Sequence, residues 1–173
     1  MPTKRQSEFA NSYLSALGDD LRPLYRELMD ILAEAGYYGY KQGSSITFKH
    51  NLHNKQMAKM GVKGSKKTRP FFALRFSACR EYSPRFRDIV SAYMERYPAR
   101  AARCVGGGCT YCAGEPETHV YTRVLEGGER QTHCGAYALE IPDLAAEDLD
   151  ELRRLIWEEH AYLMKHQVGV AEE

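Results

Sequence analysis

Five cysteines occur in the 173 residues, and four of them are spaced as ligands of one metal ion. The run reads Cys104-Val-Gly-Gly-Gly-Cys109-Thr-Tyr-Cys112, and Cys134-Gly135 follows later. Thiolates must converge on one point to hold a metal. Gly106, Gly107 and Gly108 let the backbone curl so that Cys104 and Cys109 can approach each other. Cys109 and Cys112 make a tight knuckle, and a hairpin is expected to return Cys134 as the distant fourth ligand. Four thiolates in a tetrahedral shell form a closed, structural zinc site with no position left for substrate. The same intervals also fit a plant-type [2Fe–2S] pattern. The short interval to Cys134 favours zinc, and free or redox-active thiols are the third reading. His119 and His133 are possible replacement ligands, although each reads more simply as an ordinary hairpin or surface histidine. Cys79 stands apart at the end of a strand and reads as a small buried side chain.

A second group of residues could meet phosphates. Between Ala35 and Arg80 there is no Asp or Glu, while ten Lys or Arg occur. Lys49, Lys55, Lys59, Lys63, Lys66, Lys67 and Arg69 are the candidate nucleic-acid contacts. Clustered positive charge neutralises phosphates and gives salt-dependent binding. No helix-turn-helix or RNP element accompanies them, so the bland reading is a solvated loop balancing an acidic C-terminal helix. From Glu140 onward there are ten acidic residues against three basic ones.

The aromatic residues form a third set. Tyr37, Tyr38, Tyr40, Phe71, Phe76, Tyr93, Tyr97, Tyr121 and Tyr137 could line a small-molecule pocket. Core packing accounts for most of them as well. No nucleophile elbow, P-loop, HExxH or dinucleotide fingerprint is present. Asp19-Asp20 and Glu158-Glu159 are adjacent pairs, which read as caps and solvent-facing charge. The expectation is a non-enzymatic protein that binds a small molecule or a protein partner, with nucleic-acid binding as the alternative.

The totals frame these sites. With 43% apolar and 27% charged residues, the chain can bury a core as one domain spanning 1–173. No run approaches the roughly 20 apolar residues that span a bilayer, and no signal core follows Met1. An odd cysteine count argues against a disulfide framework. The expected place is the cytoplasm, with reduced thiols and no membrane partner.

The elements that must position these groups follow from periodicity and punctuation. Phe9, Tyr13, Leu14 and Leu17 start a first helix. Leu24, Leu28, Ile31 and Leu32 make one face of a second, with Pro23 in its first turn and Gly36 as its stop. Tyr37 to Tyr40 leads into a strand at Ser45–Lys49. Residues 50–69, polar and short of β-branched side chains, read as a long basic loop. Phe71 to Ala78 is a strand, and Ser83-Pro84 opens a third helix. Thr118–Leu125 and Arg130–Ile141 flank Glu126-Gly127-Gly128-Glu129 as a hairpin. A last helix runs from about Leu144 to His166. This order predicts an α+β fold, a mostly antiparallel sheet with helices on it and a zinc knuckle inserted at residues 104–134.

Three segments together carry a resemblance: Phe71 to Tyr97, the Cys104/Cys109/Cys112 knuckle, and Cys134-Gly135 leading to Ile141-Pro142-Asp143-Leu144. They resemble small uncharacterised bacterial cytosolic proteins with a cysteine knuckle before a β-hairpin. More loosely, the order of elements resembles YdhG-like and YjbR-like α+β domains, which lack the knuckle. The resemblance implies no catalytic residues.

Overall fold

A computed structural model describes residues 2–64, 69–112 and 114–166. The chain is α+β, as its pattern predicts, and divides into two compact units. The first comprises residues 1–74 and 140–157, the second 75–139 and 158–173.

In the first unit, helix α1 (Lys4–Ser15) starts at a reciprocal cap. Thr3 Oγ1 accepts from the Gln6 N–H, and the Gln6 side chain accepts from the Thr3 N–H. Helix α2 (Arg22–Glu34) has Pro23 in its first turn and buries Leu24, Leu28, Ile31 and Leu32. The chain leaves it through Gly36 at φ +82°, a conformation that glycine adopts without a Cβ clash. Four antiparallel strands follow: β1 (Tyr37–Gln42), β2 (Ser45–His50), β3 (Gln56–Lys63) and β4 (Arg69–Leu74). With β7 (Leu139–Glu140) they form a five-stranded sheet in the order β1-β2-β3-β4-β7. The Ile141 N–H, just beyond β7, donates to Phe72 O at 2.9 Å.

Residues paired across strands share a face, and successive residues alternate. The core face carries Tyr37, Ile46, Phe48, Met60, Phe72 and Leu74, all buried, and α1 and α2 contact it through β1. The register slips between Phe48 and Lys49, which face Ala58 and Gln56 respectively. This bulge leaves Met57 as an extra residue, and both Met57 and Ala58 are fully buried. The first half of helix α4 (Leu149–Lys165) is tied to α2, where Arg153 reaches Glu27 at 2.8 Å and Glu34 at 3.0 Å.

The long basic loop predicted at 50–69 is corrected here. Residues 56–63 of it are strand β3, His50 ends β2, Arg69 opens β4, and only a short turn separates β2 from β3. Asn54 N–H donates back to His50 O, and the ring nitrogens of His50 and His53 accept from the N–H groups of Leu52 and Lys55. Asn54 takes the left-handed conformation at φ +53°, which asparagine tolerates better than most residues. Ala, Lys and Gly are poor strand formers alone. Hydrogen-bonded neighbours on both sides override that preference. Lys66 and Lys67 lie outside the described residues.

In the second unit, Ser83 caps helix α3 (Pro84–Arg96), as expected, and its hydroxyl accepts from the Phe86 N–H. Strands β5 (Tyr121–Val124) and β6 (Arg130–His133) form the expected hairpin, turned by Gly127 and Gly128 at positive φ. The predicted run from Arg130 to Ile141 is broken. Strand β6 stops at His133, and β7 belongs to the other sheet. Phe76 packs edge-on against Tyr121 at 5.3 Å and Phe86 at 5.7 Å between ring centres.

Candidate functional site

The second unit carries the cysteines. Cys104 sits in a short 3₁₀ turn, Arg103–Gly106, closed by Gly107 at φ +75°. Gly107 and Gly108 donate their N–H groups to Cys104 O and Arg103 O, each at 2.9 Å. The chain entering this turn lies beside β6, because Ala102 N–H donates to Thr132 O and Cys134 N–H to Arg100 O. That pairing carries Cys134 toward the turn. Burial pushes the Cys104 thiol above its ordinary range, and the charges of Cys112 and Cys134 push it the same way. Cys112 and Cys134 are therefore each within electrostatic reach of Cys104, while Cys109 is exposed. Among the described residues, no three His, Cys, Asp or Glu side chains are gathered closely enough to hold a metal ion. Cys79 is buried, as expected of a small core side chain.

The two candidate histidines make other contacts. His133 is fully buried, with Nε2 3.0 Å from Tyr97 O and its ring edge-on to Tyr93. His119 Nδ1 lies 3.1 Å from the Tyr162 hydroxyl.

Arg75 and Glu159 belong to no sequence motif, and they form a buried ion pair in this unit. Their side chains are 1% and 0% exposed, with Arg75 Nε 2.6 Å from Glu159 Oε1. The Ala78 N–H donates to Glu159 Oε2 at 2.7 Å, and Ser77 Oγ lies 3.4 Å from Oε1. Arg75 Nη2 also faces Cys112 Sγ at 4.0 Å. The expectation that Glu158-Glu159 is solvent-facing is overturned for Glu159. A signal was available: Leu152, Ile156, Glu159 and Leu163 share one stripe at helical spacing, and all four are buried.

The first unit carries the basic residues, and its strand register sorts them. Tyr40, Thr47, Lys59 and Ala73 stand in one cross-strand row, and Gln42, Ser45, Gly61 and Phe71 in the next. Tyr38 pairs with Lys49, and Lys63 with Arg69. The face opposite the core therefore collects Lys49, Lys59, Lys63 and Arg69 with Tyr38, Tyr40 and Phe71. Ser45, Thr47, Gly61 and Ala73 form its small-residue floor. Lys63 Nζ lies over the Phe71 ring at 4.8 Å and also pairs with Glu140. Among the described residues, Lys49, Lys59 and Arg69 take part in no salt bridge. Lys55 falls in the turn before β3.

The aromatic set divides. Tyr37, Phe76 and Tyr121 are fully buried, and Tyr38, Tyr40 and Phe71 belong to the basic face. Two clefts flank α1 and β1, one of about 190 Å³ beside Leu14, Met29, Tyr37 and Phe48, the other of about 390 Å³ beside Phe9, Tyr40 and Lys41. No helix among the described residues is long and apolar enough to cross a membrane. No protein-family model, curated protein or solved structure matches the chain.

Proposed function

We propose that the protein binds nucleic acid on the sheet face opposite its core and does no chemistry on it. One observation carries this reading: the register places four cations and three aromatic rings on the same face, opposite the core. A sheet face built for solvation alone would mix charges of both signs. Strands β1 to β4 hold no acid, and the only carboxylate paired to the cluster among the described residues is Glu140 on Lys63. Phosphate contacts by Lys49, Lys59 and Arg69 would release counterions. Affinity for a labelled oligonucleotide should then fall about twenty- to forty-fold between 50 and 200 mM salt for three contacts. Replacing all three by Ala should flatten that dependence. Absent binding at low salt, or binding indifferent to salt, sinks the proposal.

The cysteines support a separate structural role. A zinc ion held by Cys104, Cys109, Cys112 and Cys134 would pin the glycine-rich segment to the hairpin, where glycines offer no apolar contacts. The backbone pairing that carries Cys134 toward the Cys104 turn supports it. So does Arg75, a desolvated cation whose Nη2 lies 4.0 Å from Cys112 Sγ. Zinc would act there as a crosslink. A [2Fe–2S] cluster on the same residues is the alternative. Elemental analysis of protein purified without oxygen or chelator should give about one zinc per chain and a colourless solution. Visible absorption with iron would instead indicate the cluster, and a metal-free protein would remove both. The clefts along α1 and β1 support the further reading of a small-molecule or protein ligand.

A further inference from the structure

We infer that this sheet face takes single-stranded nucleic acid, with Tyr40 and Phe71 as stacking platforms and the lysines on β2 and β3 beside them. This rests on the nucleic-acid reading and narrows its ligand.

The rings are placed for stacking. Tyr40 is 42% exposed. The Phe71 ring lies across Gly61, where a Cβ would come within 2.8 Å of Phe71 Cε1 and 2.9 Å of Ser45 Oγ. Glycine therefore lets that ring lie down against the sheet. Lys63 Nζ caps the ring. An incoming base can take the place of the ammonium and leave it beside the neighbouring phosphate.

The spacing suits a short strand. Tyr40 on β1 and Phe71 on β4 are three strand intervals apart and one two-residue step out of row. That corresponds to about 16 Å, a span for a few splayed nucleotides. Lys59 lies within the interval, on β3 in the row of Tyr40, while Lys49 stands one two-residue step beyond that row and Lys63 one step beyond the row of Phe71. Paired bases in a duplex are stacked on each other and cannot use these rings, whereas every unpaired base offers a π face. A duplex laid on this face would use the cations alone.

The test compares a mixed-sequence 12-mer as single strand and as duplex, at one salt concentration, with the full chain. The single strand is expected to bind at least tenfold more tightly. Tyr40→Leu and Phe71→Leu should each weaken it about fivefold or more, leaving duplex binding and the salt dependence unchanged. If Phe71→Leu fails to fold, Tyr40→Leu and the strand-to-duplex ratio of the unaltered protein still decide. Equal binding of both forms, with Tyr40→Leu neutral, overturns this inference and leaves the broader reading intact. Binding of neither form overturns both.

Discussion

Glu159→Leu is expected to lose about 3–5 kcal/mol of stability, because it strands the Arg75 guanidinium without its counter-charge in a dry site. Both side chains are essentially inaccessible, and Glu159 also accepts from the Ala78 N–H. The substitution therefore abandons a cation and a backbone donor together. Glu159→Gln should fall between wild type and Leu, because an amide oxygen can still accept while the charge is lost. The double change Arg75→Met with Glu159→Leu should be less harmful than Glu159→Leu alone, since it removes both charges. Urea denaturation of the four proteins reads these differences directly. A Glu159→Leu midpoint equal to wild type would show that water reaches the pair and that its burial contributes nothing.

Gly135→Ala should be nearly as damaging. A Cβ at this position would overlap His119 O, and it would meet Ser77 Oγ at 2.5 Å and Ser77 Cβ at 2.6 Å. The first obstacle is backbone, which cannot turn aside as a flexible side chain can. Overpacking of this kind costs about 1–3 kcal/mol and occasionally more, and the backbone clash places Gly135 at the upper end. Ser77 is also disturbed, because its hydroxyl donates to Gly135 O at 3.1 Å. Gly106→Ala is the matched control. Nothing lies within 4 Å of the point its new methyl group would occupy, so its effect should stay within about 0.5 kcal/mol. Thermal unfolding of the two variants side by side makes the comparison, and equal melting temperatures would refute it.

Legibility varied with how local the determining physics is. Helix α3 was plain because Ser83-Pro84 supplies a cap and a fixed φ, and its apolar stripe follows at once. The β5–β6 hairpin was plain because two glycines mark the turn. Strand β3 was hidden, since its residues gain their conformation from β2 and β4 rather than from their own preferences. That miss concealed the basic face too. Lysines in a loop have no common direction, whereas lysines at alternate strand positions share one. The basic composition was therefore visible and its geometry was not.

The cysteines show the same division. Their intervals indicated convergence, and the pairing of residues 100–102 with β6 does carry Cys134 toward Cys104. Spacing alone carried no hint of Arg75 beside Cys112. An arginine inside an apolar run and a glutamate inside an apolar helical stripe are each ordinary alone. Read together, they signal a buried pair.

The way the first unit is assembled from two distant stretches of chain has a consequence for biosynthesis. Strand β4 ends at Leu74, and its neighbour β7 is not made until Leu139–Glu140. At about 5–20 residues per second, the outer edge of β4 waits several seconds on the ribosome before its partner emerges. During that interval its unpaired N–H and C=O groups can template association with other chains. The helical residues up to Trp157, which complete the unit, come later still. Nascent-chain yield should therefore depend on how quickly the 75–139 stretch is translated, or on a chaperone that covers the edge until the sheet can close.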